Sequence, residues 1–272
     1  MDRFDIYQQI AQRTNGDIYI GVVGPVRTGK STFIKRFMDL LVIPNITDTF
    51  ERDRAIDELP QSASGKTIMT TEPKFIPNEA ANITIDGNIN LRVRLVDCVG
   101  YLVSGALGHL ENDVPRMVDT PWFEEKIPFG QAAEIGTKKV ITEHSTIGLV
   151  ITTDGSITDI SRDEYEEAEA RVISELKSTG KPFAILLNCI DTSSENIIPL
   201  KEELSEKYGV PVLPVNCSTM TQEDINNIMQ TLLYEFPICE IGINIPSWMI
   251  SLDYNEELKA SLTDAIKDSF EE

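Results

Sequence analysis

The sequence predicts an α/β fold in which a mostly parallel sheet carries helices on both of its faces. Short apolar runs rich in β-branched residues alternate along the chain with segments whose apolar residues recur at helical spacing. In addition, a glycine-containing octapeptide, Gly24–Ser31, joins the first apolar run to the first long amphipathic segment. Strands joined through helices in this way usually lie parallel, because each connection must cross back over the sheet.

The N-terminal elements are indicated by their apolar spacing. A helix is predicted over residues 1–14, and a strand, Asp17–Val23, ends directly at the octapeptide. The next helix, Thr32–Met38, is indicated by Phe33 and Phe37, which recur at i and i+4.

The following part of the chain predicts a long surface segment and then a hairpin. Residues 44–65 are mostly polar, and loops of this length are usually functional or disordered. Two short strands, Lys74–Pro77 and Asn82–Ile85, are predicted next. The turn Asp86-Gly87 then leads into a return strand, Asn90–Asp97, which becomes wholly apolar as it enters the interior.

Residues 100–146 have poor periodicity and predict an insertion, with a helix only over residues 131–145. The acidic stretch Asp163–Glu169 within the second half is predicted to be a solvated helix face. Strands and helices then alternate regularly as strand Thr146–Thr153, helix Asp163–Ser178, strand Phe183–Asn188, helix Ile198–Lys207, strand Val210–Val215 and helix Glu223–Glu235. Because residues 241–272 leave this alternation, we predict one domain over residues 1–240 and the start of a second region over residues 241–272.

Composition excludes several classes of protein. Of the 272 residues, 41% are hydrophobic and 25% are charged, which is usual for a globular chain. The net charge of −20 argues against nucleic acid as the main partner. No apolar run approaches the roughly 20 residues of a transmembrane helix, and the N-terminus has no signal-peptide pattern. The four cysteines are widely spaced in the sequence: Cys98, Cys189, Cys217 and Cys239. Reduced thiols and a cytoplasmic location of the protein are therefore expected.

The octapeptide Gly24–Ser31, here called the P-loop, matches the pattern G-x-x-x-x-G-K-[ST] in full. Such loops curl so that backbone N–H groups point at the phosphates of a nucleotide, and the following helix adds its positive dipole end. Lys30 is predicted to reach the β and γ phosphates, and Ser31 to offer its hydroxyl to Mg²⁺. The nucleotide-binding residues predicted here are Gly24, Arg27, Thr28, Gly29, Lys30, Ser31 and Thr32.

Two further motifs predict a phosphate-sensing hydrolase. Asp97 begins a D-x-x-G sequence at the end of a strand, where P-loop proteins place an aspartate that binds Mg²⁺ directly or through water. The N–H of Gly100 is placed to sense the γ-phosphate. Thr70 and Thr71 precede this strand, and one of them is predicted to bring its hydroxyl to Mg²⁺; which one stays open.

The sequence Asn188-Cys189-Ile190-Asp191, here called the base motif, stands where GTPases place N-K-x-D. In those proteins the aspartate binds the guanine ring and the lysine stem packs over it. Asn188 and Asp191 are predicted to line the base site, but Cys189 replaces the lysine, so loss of guanine specificity is plausible. Residues 215–219, where GTPases have S-A-K, match that motif poorly.

Taken together, these residues resemble the stage IV sporulation protein A ATPase family, the coat morphogenetic ATPases of endospore formers. The resemblance covers essentially the whole chain, and its most distinctive part is the segment that contains the threonine pair. It rests on Met1–Asn15, Gly24–Thr32, Gly65–Pro77, Leu95–Tyr101 and Thr120–Trp122.

The resemblance implies a fold related to translation-factor-type GTPases whose guanine specificity gave way to ATP. It implies Mg²⁺-dependent hydrolysis of ATP to ADP and phosphate, which drives self-assembly into the basement layer of the spore coat. The expected location is the mother-cell cytoplasm at the forespore surface. By position, Lys30, Asp97 and either Thr70 or Thr71 would be the catalytic residues.

Family members are longer than this chain, so the resemblance also implies that it is truncated, with a middle region beginning at residue 241. Coat proteins and a membrane-anchoring peptide are expected partners, mainly through regions absent from this sequence. The chain itself is expected to form a homopolymer.

Two alternatives remain open from the sequence. The first is a GTP-binding regulatory switch, which a clear preference for guanine nucleotides would favour. The second is a structural protein with a vestigial P-loop. A decayed site has no reason to keep every functional residue, so the intact set argues against the second alternative: Lys30, Ser31, Asp97 and Thr70/Thr71.

Overall fold

The computed structural model of the chain describes residues 3–60, 73–104, 106, 110–111, 114–237, 258, 261–262 and 264. They belong to two compact units, Met1–Phe236 and Pro237–Glu272. In the second unit five residues are described: Pro237 lies outside regular secondary structure, and residues 258, 261–262 and 264 are helical. In the part of the chain that is described, no helix has the length and apolar character that a membrane span needs.

The first unit contains seven α-helices and ten strands among its described residues. The helices are α1 (Arg3–Thr14), α2 (Lys30–Phe37), α3 (Thr49–Asp57), α4 (Phe129–Lys139), α5 (Glu166–Thr179), α6 (Ile197–Tyr208) and α7 (Gln222–Tyr234). The strands are β1 (Asp17–Val23), β2 (Lys74–Ile85), β3 (Ile89–Asp97), β4 (Leu110–Glu111), β5 (Val114–Pro115), β6 (Met117–Thr120), β7 (Phe123–Pro128), β8 (Ile147–Thr153), β9 (Phe183–Asn188) and β10 (Val212–Val215). A π-helical turn continues α2 over Met38–Val42 and α4 over Val140–His144, and a 3₁₀ turn precedes α5 over Arg162–Tyr165.

The predicted parallel sheet with helices on both faces is confirmed. Its six strands lie in the order β10-β9-β8-β1-β3-β2, and only β2 runs antiparallel to its neighbour. Helices α1, α2 and α7 pack on one face, and α4, α5 and α6 pack on the other. Every residue of β8 and β9 is buried, because helices cover both faces of these central strands.

The topology places the P-loop at the centre of one sheet edge. Strand β1 lies between β3 and β8. The strands that follow it first in sequence, β2 and β3, lie on one side of it, and β8, β9 and β10 lie on the other. The carboxyl ends of β1, β3, β8 and β9 therefore meet at the same edge. Ligands of open parallel sheets bind outside such an edge, at the point where the strand order reverses.

Strand β2 and its hairpin differ in one respect from the prediction. The two short strands that the sequence predicts are one strand, whose register against β3 shifts between Ile76 and Ala81. The turn at Asp86-Gly87 is as predicted, and both residues have positive φ, 49° and 80°. This register shift explains why the apolar pattern of β2 is interrupted, and why the sequence predicts two short strands there.

Three elements are missing from the sequence prediction: helix α3 and the two hairpins β4–β5 and β6–β7. Helix α3 lies inside residues 44–65, predicted as a surface segment, and is begun by Asp48, whose side chain accepts the Glu51 N–H at 2.8 Å. Its one buried residue is Ala55, so it has no apolar stripe to recognise. The hairpin of β6 and β7, within the insertion, has mostly exposed residues and likewise lacks a clear period.

The prediction that Asp163–Glu169 is a solvated helix face is wrong for its last member. Asp163, Glu164, Glu166 and Glu167 are exposed, but Glu169 is fully buried. Its carboxylate lies against side chains from β8 and α6 and from the turn before α5. Those partners come from distant parts of the chain, so the local pattern of charge does not reveal them.

Candidate functional site

The P-loop curls between β1 and α2 through three residues with positive φ, namely Gly24 at 139°, Arg27 at 63° and Gly29 at 95°. The two glycines also meet other backbone and side-chain atoms closely. A Cβ on Gly24 would lie 2.2 Å from the carbonyl oxygen of Ile151, and one on Gly29 would lie 2.3 Å from Nδ2 of Asn188. Only glycine fits at these two positions, which explains why the motif needs both.

Lys30, the first residue of α2, points back into the loop that it ends. Its side chain is buried, and Nζ donates hydrogen bonds to the carbonyl oxygens of Pro25 at 2.6 Å and Gly24 at 3.4 Å. Burial lowers the pKa of the ammonium group, and the nearby Asp97 acts against that shift. A Cβ on Gly100 would lie 2.7 Å from Nζ, so the ammonium group lies between the P-loop and the D-x-x-G segment.

Ser31 and Asp97 form a direct contact between α2 and β3. Ser31 Oγ donates to Asp97 Oδ2 at 2.6 Å. Burial raises the pKa of the Asp97 carboxyl, while the hydrogen bond from Ser31 and the charge of Lys30 lower it. Asp97 Oδ1 is buried and has no hydrogen-bond partner among the residues described. An unpaired buried carboxylate oxygen is uncommon in folded proteins, and it leaves an acceptor open to water or a ligand.

The donor set fits Mg²⁺ as a shared ion. Mg²⁺ usually takes one or two carboxylates together with substrate phosphates and water, and a hydroxyl beside an orphaned carboxylate oxygen meets that requirement. Within the described ranges, no group of three or more His, Cys, Asp or Glu residues is arranged to hold a metal. Ser31 and Asp97 would therefore need phosphate oxygens and water to complete the ion's coordination.

The D-x-x-G segment, Asp97–Gly100, is held against the P-loop by backbone contacts. Val26 N donates to the carbonyl oxygen of Tyr101 at 2.9 Å. A Cβ on Gly100, whose φ is 91°, would lie only 2.2 Å from the carbonyl oxygen of Gly24. Any side chain at this position would push the two segments apart.

Asn188, the last residue of β9, connects the P-loop to the segment after β10. Its Nδ2 donates to the carbonyl oxygen of Thr28 at 2.9 Å, and its Oδ1 accepts the N–H of Cys217 at 3.1 Å. Thr28 in turn donates from its hydroxyl to the carbonyl oxygen of Pro25 at 3.0 Å. The structure thus places Asn188 where it fixes the shape of the loop.

The rest of the base motif divides between core and surface. Cys189 is fully buried, with its Sγ 3.8 Å from the carbonyl oxygen of Val215, and burial raises its pKa to about 11. Asp191 is exposed, and one of its carboxylate oxygens accepts the N–H of Ser193 at 2.9 Å. No cationic stem therefore extends from position 189 over a base.

Sequence reasoning missed the loop that follows β8. Ser156 Oγ accepts the N–H of Ile190 at 3.0 Å, and Ile157 Cδ1 lies 3.9 Å from the position of a Cβ on Gly29. No motif marks these residues. Their only signal in the sequence is that they follow the carboxyl end of a central strand, where parallel sheets place functional loops.

The predicted site residues not yet described are Thr32, Thr70 and Thr71. Thr32 lies in the first turn of α2 and is half-buried. Thr70 and Thr71 lie outside the described residues, so their predicted part in sensing the γ-phosphate stays a prediction. The three cysteines of the described part, Cys98, Cys189 and Cys217, are free and buried, as expected for reduced core thiols.

Comparison with known proteins gives consistent matches. The sequence model of a family described as "Stage IV sporulation protein A, ATPase domain" matches residues 1–237. Three curated proteins called Stage IV sporulation protein A are similar to this chain. The one from Bacillus subtilis (strain 168) is 54% identical over 269 residues, which is 99% of this chain and 55% of that protein. The one from Clostridioides difficile (strain 630) is 57% identical over 265 residues, which is 97% of this chain and 54% of that protein.

The third, from Bacillus anthracis, is 52% identical over 269 residues, or 99% of this chain and 55% of that protein. The chain thus spans about half the length of the curated relatives it matches. Among solved structures, a crystal structure of an SsGBP mutation variant aligns with a TM-score of 0.44 and 15% identity, over 85% of this chain and 63% of that chain.

Proposed function

The chain belongs to the stage IV sporulation protein A family and carries its ATPase domain, and on that premise we propose that it binds ATP with Mg²⁺ at the P-loop and hydrolyses it to ADP and phosphate. The observation that carries the proposal is the contact of Ser31 with Asp97. It joins the hydroxyl after the P-loop lysine to a strand-end carboxylate that has one unpaired buried oxygen. P-loop hydrolases hold their metal with this pair of groups.

The proposed roles follow from where each group lies. Lys30 and the P-loop N–H groups bind the phosphates, and Ser31 and Asp97 would hold the metal. When bound, Mg²⁺ neutralises negative charge on the phosphate oxygens. Gly100 lies beside Lys30, because a Cβ on it would be 2.7 Å from Nζ, and its N–H is proposed to donate to the γ-phosphate. A water molecule, positioned by Thr70 or Thr71, attacks the γ-phosphorus in line with its bond to the oxygen that bridges to the β-phosphate. That bond breaks, ADP leaves with the bridging oxygen, and the proton of the water goes to the phosphate that is released.

Adenine rather than guanine is the proposed base because the base motif lacks the lysine that packs over guanine in GTPases. Cys189 faces the core and offers no stem to cover the ring. Asp191 is retained and exposed, so the proposed preference rests on the missing lysine. The test is displacement of a fluorescent ATP analogue by MgATP and by MgGTP. Stronger displacement by MgATP is expected, and a clear preference for MgGTP would favour a regulatory GTPase instead.

For the whole protein, we propose that hydrolysis drives self-assembly into the basement layer of the spore coat, at the forespore surface in the mother-cell cytoplasm. The support is family membership, because the curated relatives are named as sporulation proteins. Coat proteins and a membrane-anchoring peptide are proposed partners of the longer protein.

The test of assembly uses the chain extended to the length of its relatives. Sedimentation with MgATP should give a pelleted polymer, and the Lys30→Ala variant should stay in the supernatant. Equal pelleting of both proteins would separate assembly from hydrolysis, and would favour a structural protein whose P-loop has no catalytic part.

A further inference from the structure

A buried ion pair, Glu169 with Arg162, lies on the face of α5 that packs against the sheet. Glu169 has no exposed surface, and the side chain of Arg162 is 14% exposed. Two nitrogens of Arg162 donate to the two carboxylate oxygens at 2.7 Å and 2.8 Å. Tyr208 donates to the same carboxylate at 2.9 Å, and the Thr152 hydroxyl donates to it as well. One carboxylate thus collects donors from three other segments of the fold.

Two of those donors lie at the two ends of a single loop. Thr152 is the next-to-last residue of strand β8, and Arg162 begins the 3₁₀ turn that leads into α5. Residues 153–161 between them are here called the β8 loop. Arg162 also donates directly to Thr152 Oγ1 at 3.2 Å. The ion pair therefore fixes both ends of the β8 loop to one point on α5.

The β8 loop also contacts the proposed nucleotide site. Its residue Ser156 accepts the N–H of Ile190 in the base motif, and Ile157 packs beside Gly29 of the P-loop. Within the loop, Asp154 Oδ1 accepts the N–H of Ser156 at 2.9 Å and its hydroxyl at 2.7 Å, which sets the direction of that side chain. The loop is thus held at its ends by Glu169 and touches two binding motifs at its middle.

We propose that Glu169 and Arg162 are positioning residues that preform the nucleotide site by holding the β8 loop against the P-loop and the base motif. The inference rests on the proposed function, since it concerns the affinity of that same site for ATP. A loop that is already ordered spares the complex the entropy of ordering it, so the nucleotide binds more tightly.

Stability alone is a weak explanation for this pair. A buried ion pair seldom stabilises a fold more than apolar residues of similar size, because both charges must be desolvated. Here Nε of Arg162 is also buried without a partner in the described part of the chain, which adds to that cost. What the pair does supply is a bidentate geometry that fixes direction and distance.

The test measures KM and kcat for MgATP hydrolysis in Arg162→Met and in Glu169→Gln. We expect KM to rise roughly ten- to a hundredfold, the range that displacement of a positioning group produces, with kcat at saturation within about a factor of two. A pair that is only structural would act differently. It would reduce the folded fraction, which lowers kcat and leaves KM unchanged, and that result would overturn the proposal.

Two further variants keep the test decisive if a single substitution leaves an unpaired charge that prevents folding. The double variant Arg162→Met with Glu169→Leu removes both charges, so it should fold while still showing the raised KM. Arg162→Lys keeps the charge but not the bidentate geometry, so its KM should fall between those of wild type and Arg162→Met. A wild-type KM in the folded double variant would overturn the proposal.

The matched control is Arg92→Met. Arg92 also forms a two-bond pair with Asp17, at 2.5 Å and 2.6 Å, but this pair is more exposed and lies at the start of β1, the opposite end from the P-loop. Its KM for MgATP should equal that of wild type. Failure of wild-type protein to bind MgATP would overturn the proposed function itself, whereas wild-type binding with an unchanged KM in every variant would overturn only the positioning role.

Discussion

Ser31 Oγ donates a 2.6 Å hydrogen bond to Asp97 Oδ2, and so joins the start of α2 to the last residue of β3. The contact spans two segments that are far apart in sequence, and it leaves the other oxygen of Asp97 buried and unpaired in the part of the fold that is described. Burial of a carboxylate in this state is costly unless a ligand completes its partners. The proposed site for a cation together with a phosphate rests on this pair.

Asp97→Ala should retain part of the nucleotide binding but lose Mg²⁺-dependent hydrolysis by about a hundredfold or more, because a preorganised charge at the reacting phosphate is removed. Phosphate release with and without Mg²⁺, together with a binding titration, measures both effects. Asp97→Asn, which keeps the shape and can still accept from Ser31, should lose hydrolysis as well. Unchanged turnover in either variant would count against the metal role of Asp97.

Gly100→Ala should abolish turnover and destabilise the fold. The new Cβ would lie 2.2 Å from the carbonyl oxygen of Gly24, and φ at this position is 91°. Strained backbone alone costs about 1–3 kcal/mol, and the clash adds to it. Urea denaturation and phosphate release measure the two losses.

The control for that variant is Gly180→Ala. Gly180 also has positive φ, at 66°, but a Cβ there meets nothing within 4 Å. A loss of about 1 kcal/mol in the free energy of unfolding is expected, with turnover unchanged. Equal loss of turnover in the two alanine variants would show that general strain, and not contact with the P-loop, is responsible.

Asn188→Ala should lower the free energy of unfolding by about 1–3 kcal/mol, because two buried backbone groups lose their partners. Those groups are the carbonyl of Thr28 and the N–H of Cys217. Affinity for MgATP should fall too, since Thr28 belongs to the P-loop.

Asn188→Asp separates these two effects. The new carboxylate can still accept from Cys217, but it faces the carbonyl of Thr28 without a donor and brings negative charge toward the phosphates. MgATP affinity should therefore fall more than stability does, relative to the alanine variant. A titration that finds nearly wild-type affinity in the aspartate variant would show that Asn188 does not shape the loop.

The buried thiols should react slowly. Burial raises the pKa of Cys98 and of Cys189 to about 11, and that of Cys217 to about 12. Each group is therefore almost wholly protonated at pH 8, and its thiolate fraction rises only as pH approaches the raised pKa. Iodoacetamide followed by mass spectrometry should label these three positions in denatured protein and not in native protein. Rapid native labelling of Cys189 would show that its side chain faces the base site.

Much of the fold could be predicted because its central strands are continuous apolar runs that end at a polar or glycine residue. Strands β1 and β9 have the bounds that the sequence predicts, Asp17–Val23 and Phe183–Asn188. Helix α3 could not be predicted in this way. It buries only Ala55, and polar contacts hold it, such as the hydrogen bond from Asn82 N to Glu51 Oε1 at 2.8 Å.

The same limit applies to the site. The P-loop and Asp97 are evident from sequence because short motifs define their chemistry. The part of Glu169 is not evident, because its partners Arg162, Thr152 and Tyr208 reach it only after the chain has folded. The β8 loop was missed for the same reason, since its contacts with Gly29 and Ile190 depend on the order of strands in the sheet.

The most direct test of the central claim is steady-state phosphate release from MgATP by the wild-type chain and by Lys30→Ala. Lys30 lies buried within the P-loop, where its ammonium group donates to Pro25 at 2.6 Å and can turn to the phosphates. Sustained release is expected from wild type, and none above background from the variant. Equal rates in the two proteins would contradict the central claim, whether both hydrolyse ATP or neither does.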